Sequence, residues 1–94
     1  MMLKTKKGFI LRKLASEYMV VAIGEASKNF NGMIRMNETA VLYWKELEKG
    51  TTEQQLVEKT LERFEGVDAD TARKDVREFL DTISVAIEND AADD

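Results

Sequence analysis

The apolar residues of this 94-residue chain change their spacing once, at Asn37, and that change limits the folds available to it. Before Asn37, the segments 9–14 and 18–23 are rich in β-branched, aliphatic and aromatic residues, which predicts a hairpin of two strands, and the short segment 33–36 predicts a third strand. After Asn37, apolar residues recur every three or four positions, which predicts helices. Strands followed by helices indicate an α+β domain that is winged-helix-like, with a three-stranded antiparallel sheet followed by three helices.

Capping residues set the bounds of the first two predicted helices. The first helix should begin after Asn37, whose side-chain oxygen can accept a backbone amide of the first turn, and should run to about Lys49. Thr51 with Gln54 forms a capping-box pattern for the second helix, and Gly66 should end it. Gly24 to Gly32, ahead of these helices, is rich in turn-forming residues and is predicted to be a loop.

The third predicted helix begins after Asp68, and its apolar positions keep helical spacing through Ile87. Residues 89–94 are rich in acidic side chains, which are unfavourable at a helix C-terminus, so this tail should fray. The length suits one domain over residues 1–94, with its core at about 8–88.

The composition excludes several kinds of site. The chain has no Cys and no His, so disulfides, zinc sites built on thiolate or imidazole, thiol nucleophiles and a histidine base are all ruled out. Asp68 and Asp70 hint at a calcium loop, but Arg73 stands where that loop needs Gly and Phe79 where it needs Glu. We therefore expect no catalytic residue, no metal and no cofactor.

No segment of the sequence directs the chain to a membrane. The apolar run near the N-terminus is interrupted at Arg12 and Lys13, too soon for a signal peptide, and the run from Tyr18 to Ile23 is too short to span a bilayer. These features predict a cytoplasmic protein.

Charge is divided unevenly along the chain. Residues 1–36 carry seven Lys or Arg and two Glu, a net +5, whereas residues 37–94 carry seven Lys or Arg and sixteen Asp or Glu, a net −9, which together give −4. An edge strand in the basic half would favour partners that carry Asp or Glu.

Four short blocks of sequence, in their order and spacing, resemble the PqqD-like family (coenzyme PQQ synthesis protein D-like), small peptide-binding domains also called RiPP recognition elements. The blocks are Gly8-Phe9-Ile10-Leu11-Arg12, Asn29-Phe30-Asn31-Gly32-Met33-Ile34, Asn37-Glu38-Thr39 with Trp44, and Asp75-Val76 with Phe79-Leu80. Trp44 itself shares a helical stripe with Ala40 and Leu47, so we expect it to be buried.

The resemblance implies recognition of a peptide and no catalysis. In this family, the leader segment of a ribosomally made precursor peptide adds as a strand beside the third strand, in the groove between that strand and the third helix. On this sequence, the implied edge is Met33, Ile34, Arg35 and Met36, and the implied groove wall is Arg73, Val76, Arg77 and Leu80. Relatives often work with a radical SAM maturase; without Cys this chain cannot hold an iron–sulfur cluster, so the enzyme should be a separate polypeptide.

Two alternatives stay open at this point. A winged-helix DNA-binding transcriptional regulator would have a similar layout, but its recognition helix should be basic, and this chain has a pI of about 4.9, so we expect no nucleic acid partner. Arg73 and Arg77 lie one helical turn apart and could select acidic leaders, or they could simply pair with acidic neighbours on the helix.

Overall fold

The computed structural model describes residues 2–30 and 32–89, in which two small sheets and four helices form an α+β fold. The elements are β1 (Leu3–Thr5), β2 (Phe9–Leu14), β3 (Glu17–Ala22), α1 (Ala26–Asn29), β4 (Met33–Met36), α2 (Glu38–Lys49), α3 (Glu53–Arg63), α4 (Ala69–Thr82), a 3-10 turn (Ser84–Ala86) and β5 (Ile87–Asn89). A three-stranded antiparallel sheet followed by three long helices confirms the predicted fold class.

The three-stranded sheet has the order β2-β3-β4, so β4 lies at one edge. A two-residue turn joins β2 to β3, with Ala15 at a φ of +57°. The register has no bulge, and it sets Arg12, Met19 and Arg35 side by side across the sheet. Side chains alternate between the faces of each strand, so these three residues share the outer face, while Val20 and Ile34 share the inner face.

Two clusters of buried side chains form the core. A sheet cluster joins the inner face of the sheet to α2 and to the turn that follows α4, and its buried members are Phe9, Val20, Met36, Trp44, Ile83 and Ala86. A helical cluster lies among α2, α3 and α4, and its buried members are Tyr43, Leu47, Leu56, Val57, Ala72, Val76 and Leu80. Phe79 and Ile87 pack against both clusters and so connect them.

The predicted third helix is too long. It ends at Thr82, and the chain then makes a 3-10 turn and enters β5, which pairs antiparallel with β1. The 3-10 turn keeps residues three apart on one side, so Ile83 and Ala86 still meet the core and their spacing imitates a continuing helix. The residues from Thr82 to Ile87 include several β-branched ones, which favour helix weakly and strand more strongly.

Local signals for the helix starts were mostly right. The side chains of Asn37 and Asp68 cap α2 and α4, accepting the amides of Ala40 and Thr71 at 2.8 and 2.7 Å. The cap of α3 is Thr52, one residue after the predicted Thr51, because the Thr51 backbone bonds to Leu3 in β1 and is held outside the helix.

Two further findings complete the fold. The segment predicted as a loop contains the single-turn helix α1. Of the tail predicted to fray, Asn89 lies in β5 and residues 90–94 lie outside the described residues. Within residues 2–30 and 32–89, no helix has the length and apolar character needed to cross a membrane.

Candidate functional site

The three-stranded sheet has two edge strands, β2 and β4, and β4 is the one that the sequence predicts as the binding edge. This strand pairs with β3 on one side, and no strand among the described residues pairs with its other side. An edge strand carries backbone N–H and C=O groups that an extended peptide can bind.

The ladder of hydrogen bonds determines which residues of β4 point these groups outward. The Ile23 amide donates to the Gly8 carbonyl at 2.7 Å, which makes Gly8 and Ile23 a hydrogen-bonded pair at the end of the β2–β3 ladder. Hydrogen-bonded and non-bonded pairs alternate in antiparallel strands, so Met19 directs its backbone groups toward β2. Arg35, which lies opposite Met19 on β4, therefore directs its N–H and C=O toward the open edge.

The same alternation applies two residues earlier on β4. Met33 lies opposite Val21, whose backbone groups point toward β2, so the backbone of Met33 also faces outward. Ile34 and Met36 instead bond to β3. The open edge thus offers two sets of donor and acceptor groups, at Met33 and Arg35, with the spacing that a paired strand requires.

The side chains of β4 divide between the two faces of the sheet. Met36 is buried and Ile34 packs against the sheet cluster, so the inner side of the edge is apolar. Met33 is 59% exposed on the outer face, and Arg35 on the same face lies 3.7 Å from the carboxylate of Glu17. A bound strand would therefore meet an apolar surface on the inner side, and on the outer side it would meet the exposed Met33 and the ion pair of Arg35 with Glu17.

A cleft of about 360 Å³ lies where β4 ends, between α2 and α4. Its apolar floor consists of Ala40, Tyr43 and Phe79, and the two aromatic rings are tilted with their centroids 5.1 Å apart. The polar residues around it are Asn37 and Thr39 from the start of α2, and Asp75, Glu78 and Thr82 from α4. Asn37 directly follows β4, and Ala40 and Phe79 pack against the sheet cluster, so the cleft lies near the end of β4 on the inner side of the sheet.

The structure places the predicted groove wall elsewhere on α4. Val76 and Leu80 are buried in the helical cluster. Arg77 forms ion pairs with Glu53 at the start of α3 and with Asp81, at 3.2 and 3.6 Å.

Arg73 forms an ion pair with Asp70 on its own helix. None of the four residues predicted for the wall (Arg73, Val76, Arg77 and Leu80) lines the cleft, and any part they have in binding stays a prediction. The residues of α4 that do line it are Asp75, Glu78, Phe79 and Thr82. Of these four residues, Phe79 could have been predicted from the sequence to lie near a binding surface, because it is an apolar residue at the border of the buried stripe of α4.

Tyr43 contributes its ring to the cleft and its hydroxyl to the core. The Thr60 hydroxyl donates its single hydrogen to the Leu56 carbonyl at 2.9 Å, so it must accept from the Tyr43 hydroxyl, 2.8 Å away. Burial raises the pKa of Tyr43, the bond to Thr60 lowers it, and the charge of Asp75 raises it further. The phenol therefore stays neutral and structural at physiological pH.

The side chains around the cleft can bind a peptide through charge, hydrogen bonds and apolar contact. The cleft lining holds carboxylates, amides, hydroxyls and aromatic rings, and the chain has no Cys or His to act as a nucleophile or neutral-pH base. Among residues 2–30 and 32–89, no three acidic residues converge as ligands for a metal ion.

Comparison with known proteins places this fold in a family. The family model described as coenzyme PQQ synthesis protein D (PqqD) matches residues 17–84. The chain is also similar to TbiB1, solved in complex with the TbiA(beta) leader peptide, with a TM-score of 0.70 and 17% identity over 86% of this chain and 87% of that one. A search of curated proteins found no match. The structural likeness shows a shared fold, and because the family model covers well over half of the sequence, the chain belongs to the PqqD family.

Proposed function

We propose that this protein is an adaptor that binds the leader segment of a ribosomally synthesised precursor peptide as an extra strand beside β4, and presents it to a separate modifying enzyme. Membership of the PqqD family supports peptide binding, and the similarly folded TbiB1 is bound to a leader peptide. The observation that carries the proposal is the open edge of β4, where the backbone groups of Met33 and Arg35 face outward beside a cleft.

Strand addition divides affinity and selectivity between two sets of atoms. Backbone bonds to Met33 and Arg35 would hold any extended peptide, because they do not depend on its side chains. Every second side chain of the peptide would point inward, beside Ile34 and Met36, and these positions would select the sequence. A peptide bound in this way leaves its remaining length free for an enzyme to reach.

We propose a radical SAM maturase, or a similar modifying enzyme, as that partner. Such an enzyme holds its iron–sulfur cluster through Cys thiolates, and these 94 residues contain none. The adaptor would thus contribute binding energy and position while the partner performs the chemistry. DNA binding has less support, since the exposed side of α4 at the cleft carries Asp75 and Glu78, which repel phosphate.

The experiment begins with a displayed library of random peptides, about fifteen residues long, selected on the folded protein. An enriched peptide is synthesised, and each of its backbone amides is methylated in turn. We expect methylation at alternate residues of one short segment to weaken binding roughly tenfold or more, because each blocks a hydrogen bond to β4. Sensitivity without a two-residue period, or a protein that enriches no peptide, would contradict strand addition.

A proline substitution tests the same bond from the protein side. Arg35→Pro removes an amide that faces the open edge and leaves the β3–β4 ladder its bonds, so it should abolish binding in a folded domain. Lys13→Pro is the matched control, since Lys13 lies on β2 with its amide facing the opposite open edge. Circular dichroism confirms folding of both variants, and equal binding by Arg35→Pro and wild type would remove this edge from the site.

A further inference from the structure

The carboxylates of Asp75 and Glu78 stand apart from the other acidic residues of α4. Both are exposed, both line the cleft, and neither forms an ion pair with another described residue. Asp70 and Asp81, by contrast, are paired with Arg73 and Arg77. The cleft thus has a negative wall, and none of the described residues that line it is a Lys or Arg.

Below this wall lies an apolar and aromatic floor. The ring centroids of Phe79 and Tyr43 are 5.1 Å apart, and Ala40 lines the same cleft. The Tyr43 hydroxyl is already hydrogen-bonded to Thr60, so the floor offers carbon surface with little hydrogen-bonding capacity.

A long basic side chain fits both parts of this cleft. Lys and Arg have an apolar stem that packs on carbon surface and a cationic head that seeks a carboxylate. We infer that the cleft receives a Lys or Arg side chain of the bound peptide, with its stem over Phe79 and its charge between Asp75 and Glu78. This inference depends on the proposed function, because it assigns the specificity of the same site.

The sheet register also gives the position of that basic residue. The cleft adjoins Asn37, directly after Met36, so the basic side chain must belong to the inward-facing set and lie beside Met36. The next inward side chain is two residues away in the peptide, beside Ile34, where the surface is apolar. The expected pattern is a basic residue and an apolar residue separated by one position. The earlier expectation of acidic leaders, based on the basic half of the chain, does not apply to this cleft.

The test repeats the peptide selection on a charge-removed variant. Wild type should enrich Lys or Arg at one inward-facing position, and Asp75→Asn with Glu78→Gln should lose that preference. The matched control is Glu62→Gln with Glu65→Gln, which changes net charge equally at exposed positions outside the cleft. Replacing the basic residue of a selected peptide by norleucine should weaken binding to wild type several-fold and to the cleft variant hardly at all. The difference should shrink as salt rises, since the pair is exposed.

The outcomes separate this inference from the proposed function. Peptides with a two-residue period of methylation sensitivity but no basic preference would overturn the inference and leave strand addition intact. Basic enrichment that persists in the cleft variant would also overturn it, because other carboxylates would then be responsible. If no selected peptide binds at the β4 edge, both the inference and the proposed function fail.

Discussion

Trp44 shows how much a single residue's role depends on its position along a helix. It is 0% exposed within the sheet cluster, and its ring nitrogen donates to Glu48 one turn later at 3.2 Å. Its place on the stripe with Ala40 and Leu47 predicted this burial, and the structure confirms it. Trp44 therefore packs against the inner face of the sheet and is not among the residues that line the cleft.

Replacing Trp44 by Ala should lower the free energy of unfolding by about 3 to 5 kcal/mol, because it leaves a large cavity in the core. That loss is a large part of the stability of a small domain. Leu61→Ala, at a residue that is 40% exposed on α3, should cost much less. Chemical denaturation measures both. A loss below about 1 kcal/mol for Trp44→Ala would mean that the ring does not fill the core.

The helices and strands that the sequence predicted correctly are those marked by nearby residues, and the ones it missed depend on contacts between distant segments. Each main strand is marked by its own pattern of apolar residues, and the start of each long helix by a capping side chain within a few residues. β1 and β5 have three residues each and exist only because the segments 3–5 and 87–89 pair across the whole chain. The sequence also did not predict which face of α4 lines the cleft. That face depends on packing against α2 and α3, which buries Val76 and places Asp75 at the cleft.

The N-cap of α4 should make the stability of the domain depend on pH. Hydrogen bonding from the Thr71 amide, mainly, lowers the pKa of Asp68 below its ordinary 3.8, so the folded state favours the carboxylate. Stability from this group is present above the ordinary value and is lost as pH falls through the lowered pKa. Asp68→Asn keeps an acceptor but cannot titrate, so its melting temperature should fall less than that of wild type on acidification. Parallel melting curves for the two proteins below pH 4 would contradict this account of the cap.

At the scale of the molecule, the cleft lies at the junction of the two core clusters. Phe79 forms part of the cleft floor and packs against both clusters, and Ile87 joins the same clusters from the chain's last described strand. The β1–β5 pair also brings the two ends of the described chain together. The shape of the binding surface therefore depends on the whole fold remaining assembled, which suits an adaptor that must hold one peptide register.

Ile87→Ala tests whether the two clusters unfold together. Because Ile87 is half-buried and touches both clusters, its truncation should cost about 2 kcal/mol, at the low end for a buried isoleucine. Trp44 fluorescence reports on the sheet cluster and far-UV circular dichroism on the helices, and both transitions should move to the same lower denaturant concentration. Ile23→Ala, at a residue that is 49% exposed and belongs to neither cluster, should leave both nearly unchanged. Fluorescence and dichroism transitions that separate in Ile87→Ala would show that the clusters are independent, and that the cleft between them can lose its shape while each cluster stays folded.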